Sequence, residues 1–115
     1  MRVASLGSGS KGNGTVVASG DTCLLIDCGF SLRETSRRLA RLGLAPGELD
    51  AILVTHEHSD HANGVGTLSR GHGIPVYASH GTAASGRLGD CAALERFNAG
   101  EVFAVGSVTV HSIAV

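Results

Sequence analysis

Tryptophan is absent from this chain, and aromatic residues make up only 3% of it. A core must therefore be assembled from Val, Leu, Ile and Ala, which an apolar share of 43% can supply for one small domain of 115 residues. No run approaches the roughly 20 apolar residues that cross a bilayer, so no membrane partner is expected. The opening Met1-Arg2-Val3-Ala4-Ser5-Leu6 gives way at once to glycines, so no secretory leader is expected either. Charge of one sign is also lacking. A net charge of -1 gives no general electrostatic grip on nucleic acid. Arg33, Arg37, Arg38 and Arg41 do crowd one segment, but a solvated helix face is the simpler account of them. Cys23, Cys28 and Cys91 cannot all pair. They read as small buried or half-buried side chains in a reducing, cytoplasmic setting.

What the chain does have is Thr55-His56-Glu57-His58-Ser59-Asp60-His61, directly after the apolar Ala51-Ile52-Leu53-Val54. Three imidazoles and a carboxylate at this density are the donor set of a divalent cation. Alternation along extended backbone would turn His56, His58 and Asp60 to one side, with His61 following at the next turn. The zincin spacing is absent, because Asp60 stands where a second histidine would be required.

Around this motif the pattern predicts strands over residues 2–6, 15–18 and 23–27, the latter two joined by a turn at Ser19-Gly20-Asp21. Ser31 reads as a helix N-cap with Glu34 completing a capping box. Leu32, Leu39 and Leu42 continue at helical spacing until Gly43. A strand over 51–54 delivers the motif. A short helix over 62–70, a strand over 74–78, a helix over 80–88 and a closing hairpin around Gly106, with arms at 101–105 and 107–115, complete an α/β sandwich with a mixed sheet.

The loop Gly7-Ser8-Gly9-Ser10-Lys11-Gly12 satisfies Gly-x-Gly-x-x-Gly and follows a strand. A dinucleotide site also needs a helix to begin there, whereas turn and β-branched residues follow. The P-loop pattern fails too, because Asn13-Gly14 replaces the lysine and hydroxyl pair. Glycines nevertheless let backbone amides approach an anion, and Ser8, Ser10, Lys11 and Asn13 add donors to a possible substrate loop. Asp27, closing a strand, is placed to accept a hydrogen bond from a ligand histidine. His72, His80 and His111 read as structural.

The stretch THEHSDHANG resembles the His-x-His-x-Asp-His motif of the metallo-β-lactamase superfamily. GSGSKGN, LLIDCG and THEHSDHANG in this order are similar to the exonuclease-like YycJ/WalJ-type branch of that family. The resemblance implies an αββα sandwich, of which residues 1–115 would be the N-terminal half, apparently truncated. It implies that His56 and His58 hold one metal, that Asp60 and His61 hold a second, and that Asp27 lies near both. Two zinc ions are implied, with manganese as an alternative. The implied activity is hydrolysis of DNA or another phosphodiester by a metal-activated water, from which Asp60 could take a proton. A thioesterase or lactonase is the nearest rival, and a non-catalytic metal- or nucleotide-binding module is a second. Later ligands that the family supplies are absent, so the isolated chain would carry an incomplete site and an exposed sheet edge.

Overall fold

A computed structural model describes residues 1–113. Six strands form one mixed sheet in the order β1-β2-β3-β4-β5-β6. Strands β1 (Arg2–Gly7), β2 (Gly14–Ser19) and β3 (Thr22–Ile26) are antiparallel neighbours. Strands β4 (Ala51–Leu53), β5 (Val76–Ser79) and β6 (Leu94–Phe97) continue from β3 in parallel. Parallel neighbours need crossovers. Helices α1 (Leu32–Ala40), α2 (Ser59–Ala62), α3 (Val65–His72) and α4 (His80–Ala84) lie in those connections.

The period of two along the strands divides the apolar residues between two cores. Leu25, Ile52 and Val76 pack on one face with Leu39 of α1 and with Val65 and Leu68 of α3. Leu24 and Ala51 face the other way, against Val105 and Val108. Those last two belong to a hairpin, β7 (Val102–Val105) and β8 (Val108–His111), which forms a separate two-stranded sheet. Its tip is tied to the main sheet by Ser107, whose amide donates to Thr22 Oγ1 at 2.9 Å and whose hydroxyl donates to the Ser19 carbonyl at 2.6 Å. Three of the four aromatic residues gather at this hairpin, while Phe30 packs in the other core. Tyr77 and Phe103 stack with ring centroids 5.3 Å apart, and Phe97 lies 5.1 Å from Phe103.

Several expectations are adjusted. The closing hairpin forms over a shorter span than 101–115, and residues 114–115 lie outside the described residues. Strand β6 was not anticipated, because Leu-Glu-Arg-Phe is short and half charged, as an edge strand can be. Both β1 and β6 are sheet edges, where one was expected. The helix expected over 62–70 is two helices interrupted at Asn63 and Gly64, so α2 starts at Ser59 and carries Asp60 and His61. The helix expected over 80–88 stops at Ala84. Ser31 caps α1 by accepting from the Glu34 amide at 3.2 Å. The Glu34 carboxylate does not return to complete a box; it pairs with Arg38 and Arg37 at 2.9 and 3.3 Å.

Candidate metal centre

The centre sits at the carboxyl ends of β3 and β4, where parallel strands present their following loops side by side. Asp27 follows β3, and Thr55 to His61 follow β4. Strand β4 stops at Leu53, so alternation does not carry His56, His58 and Asp60 as expected. A loop and the first turn of α2 place them instead. His58 precedes that turn and its carbonyl accepts from the amides of His61 and Ala62, both at 2.9 Å.

Asp27 is the buried hub. Its backbone lies in the left-handed region at φ 64°, uncommon for a residue with a side chain. Oδ1 accepts from the Thr55 amide at 2.8 Å, and Oδ2 accepts from the Thr55 hydroxyl at 2.6 Å. Oδ2 also lies 2.8 Å from His61 Nδ1, where a carboxylate draws the imidazole proton to Nδ1. The free Nε2 of His61 then lies 3.6 Å from Asp60 Oδ2. Thr55 extends the relay. Its one hydroxyl proton goes to Asp27, so toward His56 it can only accept, at 2.9 Å from Nδ1. This holds the Nε2 lone pair of His56 free as well. A hydroxyl beside a histidine cluster carries no spacing signal, so sequence alone does not mark Thr55.

Ligand atoms of Asp27, His56 and His61 all lie within 4.8 Å of one another. The ring of His56 is 3.8 Å from that of His61 and 4.9 Å, edge-on, from that of His58. His56 and His61 thus converge with Asp27, Asp60 borders the spot, and the exposed His58 lies beside His56 but outside that cluster. Neutral imidazole and carboxylate together suit a divalent cation.

Two glycines bring the supporting loops close enough to close the site. A Cβ on Gly29 would overlap the Asp60 carbonyl, and one on Gly64 would overlap the Phe30 carbonyl. In the space so gained, Cys28 N donates to His61 O at 2.7 Å, Gly29 N to Asn13 O at 3.0 Å, and Gly64 N to Cys28 O at 2.8 Å.

Other expected site residues are placed differently. Ser8, Ser10 and Lys11 are exposed on the glycine loop, which runs into β2 rather than a helix, so the context a dinucleotide site requires is absent. Asn13 turns inward to Asp60 instead of outward to a substrate. Glu57 points away and accepts from Thr82 Oγ1 at 3.2 Å; a backbone amide and that hydroxyl hold its carboxyl below the usual range. His72, His80 and His111 are exposed and stand apart from the cluster. Cys28 is buried behind the site with Sγ 3.3 Å from Thr35 Oγ1, and burial pushes its thiol pKa up. A groove of about 810 Å³ lies elsewhere: Arg2, Asp21, Cys23, Glu48 and Asp50 line it at the opposite pole of the sheet.

Residues 7–90 match the metallo-beta-lactamase superfamily. The chain is 46% identical over 77 residues to the exodeoxyribonuclease WalJ of Streptococcus pneumoniae serotype 2 (strain D39), a match covering 67% of this chain and 29% of that protein. It is 37% identical over 114 residues to the exodeoxyribonuclease YycJ of Bacillus anthracis, covering 96% and 43%. Among solved structures it resembles MEM-A1, a subclass B3 metallo-beta-lactamase isolated from a soil metagenome library, with a TM-score of 0.77 at 26% identity over 95% of this chain and 48% of that one. The chain spans less than half the length of the curated relatives it matches, 29% and 43% of the two named here.

Proposed function

The chain belongs to the metallo-beta-lactamase superfamily, and on that premise we propose that it is the N-terminal half of a metal-dependent phosphodiesterase whose substrate is DNA, cleaved as an exonuclease cleaves it. The observation that carries the reading is the convergence of His56, His61 and Asp27, with Asp60 at the border, at adjacent strand ends. The choice of phosphodiester over lactam, lactone or thioester follows the relatives: those named as exodeoxyribonucleases are 46% and 37% identical, against 26% for a lactamase.

In this reading His56 and His58 hold one ion, Asp60 and His61 a second, and zinc is the first choice with manganese the alternative. Such ions, when bound, lower the pKa of water toward 7 and offset charge on a reacting phosphate. The residues of the chain do the rest. Asp27 and Thr55 fix the tautomers of His61 and His56, so that both present Nε2 to the site. Asp60, on the first turn of α2 with Oδ2 3.6 Å from His61 Nε2, takes the proton of the attacking water. The exposed Ser8, Ser10 and Lys11 offer donors to the phosphate backbone of a substrate strand. No helix among the described residues is long and apolar enough to cross a membrane.

The test uses the whole protein. Elemental analysis should find close to two zinc or manganese ions per chain, and end-labelled DNA should be shortened in steps. The double variant His58→Ala, Asp60→Ala should lose both metal and cleavage. Undiminished cleavage in that variant would end the proposal, and turnover of a lactone or thioester in preference to DNA would replace the substrate class.

A further inference from the structure

The side-chain amide of Asn13 has every hydrogen-bonding group engaged. Its Oδ1 accepts from the Gly9 amide at 3.1 Å, and its Nδ2 donates to the Gly9 carbonyl at 2.9 Å. These two bonds form a closed pair that fixes which way the amide faces. The remaining Nδ2 proton is thereby aimed at Asp60, 3.1 Å from its carbonyl and 3.2 Å from its Oδ2. The Asn13 backbone adds a donor to the same carbonyl at 2.7 Å, and its own carbonyl accepts from Gly29 at 3.0 Å. A residue of the glycine loop, 47 positions away in sequence, thus ties that loop to the first turn of α2.

We propose that Asn13 is the positioning residue for Asp60: its amide orients the carboxylate for the ion, and couples the glycine loop to the metal centre. This rests on the reading of Asp60 as a ligand. The chemistry explains why an amide serves. Asn13 donates one proton to Asp60 Oδ2, the oxygen that also faces His61 Nε2, and the carboxylate keeps lone pairs for an ion. Aspartate at position 13 would have the same shape but no donor, and would set two carboxylates against each other. Serine would be too short to bond Gly9 and Asp60 together. Because the Gly9 pair holds the amide, a substrate strand that draws the loop would also pull on Asp60, so loop occupancy and metal affinity are linked.

The test is a double-mutant cycle read as zinc affinity, by competition with a chromogenic chelator on the full chain, with cleavage playing no part. Asn13→Ala should weaken binding about tenfold and Asn13→Asp more, within the range found for groups that orient metal ligands. In an Asp60→Ala background the same Asn13→Ala change should cost less than about threefold, since the carboxylate it orients is gone. Equal losses in both backgrounds, or none in the parent, would overturn the assignment to Asn13. If Asp60→Ala itself leaves affinity unchanged, the reading of Asp60 as a ligand fails first, and the inference with it. Thermal melting of the metal-free variants separates a folding defect from a binding one. Asn13→Gln lengthens the side chain while keeping the amide; partial recovery of affinity relative to Asn13→Ala is expected, and affinity no better than that of Asn13→Ala counts against the proposal.

Discussion

Replacing Asp27 tests the hub of the site most directly. Its carboxylate is 8% exposed and receives three close contacts, two from Thr55 and one from His61. Taking away the acceptor strands these donors, and one buried unsatisfied group costs about 1–3 kcal/mol. Thr55 reaches solvent, so water relieves part of that loss. The backbone contributes separately: alanine at φ 64° adds about 1 kcal/mol that glycine does not incur. Asp27→Ala should therefore destabilise the metal-free chain by about 3 kcal/mol, and Asp27→Gly by about 2 kcal/mol, in urea unfolding. Asp27→Asn is the informative variant. It keeps size and one acceptor for the Thr55 amide but sets an N–H against His61 Nδ1. The imidazole then keeps its proton on Nε2, facing Asp60, and loses the lone pair a metal needs. Zinc affinity should fall about 10–100-fold while stability changes by about 1 kcal/mol. Affinity within twofold of the parent in Asp27→Asn would refute the tautomer argument. Equal unfolding midpoints for the alanine and glycine variants would refute the backbone one.

Thr55→Val keeps the side-chain shape but removes the link from Asp27 to His56; zinc affinity should drop about tenfold, measured by chelator competition, with little change in the urea midpoint. Gly29→Ala and Gly64→Ala each drive a methyl into a backbone carbonyl, and each should lose about 1–3 kcal/mol of stability in denaturant unfolding. Burial raises the Cys28 thiol pKa, so the folded chain keeps a proton that the unfolded chain releases above about pH 8.5. This contribution to stability is fully present below that pH and is lost as pH rises through the folded value, so urea midpoints should decline between pH 8 and 10, and less so in Cys28→Ala. Iodoacetamide should label Cys28 more slowly than Cys23 or Cys91, which mass spectrometry of peptides would record.

The histidine-aspartate motif stands out because ligand chemistry demands rare residue types at close spacing, and four such residues stand within six positions. The way His56 and His61 meet Asp27 is not readable there. Period-two alternation requires extended backbone, and β4 ends before His56, so a loop and a helical turn do what a strand was expected to do. Asp27 was legible as a strand-end carboxylate with a histidine to orient. Thr55 was not, since its role depends on a proton donated across 28 positions. The loop that carries Asn13 is legible but the direction of its amide is not, because sequence does not say whether an amide faces solvent or protein. The separate sheet of β7 and β8 was hidden for another reason. A hairpin's alternation reveals that one side is covered, but not which sheet covers it.

The chemistry and the large groove occupy opposite poles of the sheet. The five residues of β3, about 16 Å of extended chain, keep them apart. At the groove's pole the chain turns back at Gly20-Asp21 and again around Gly47, both exposed. Those two bends are where a fluorophore, an affinity handle or an inserted module can be installed while leaving the ion's surroundings undisturbed.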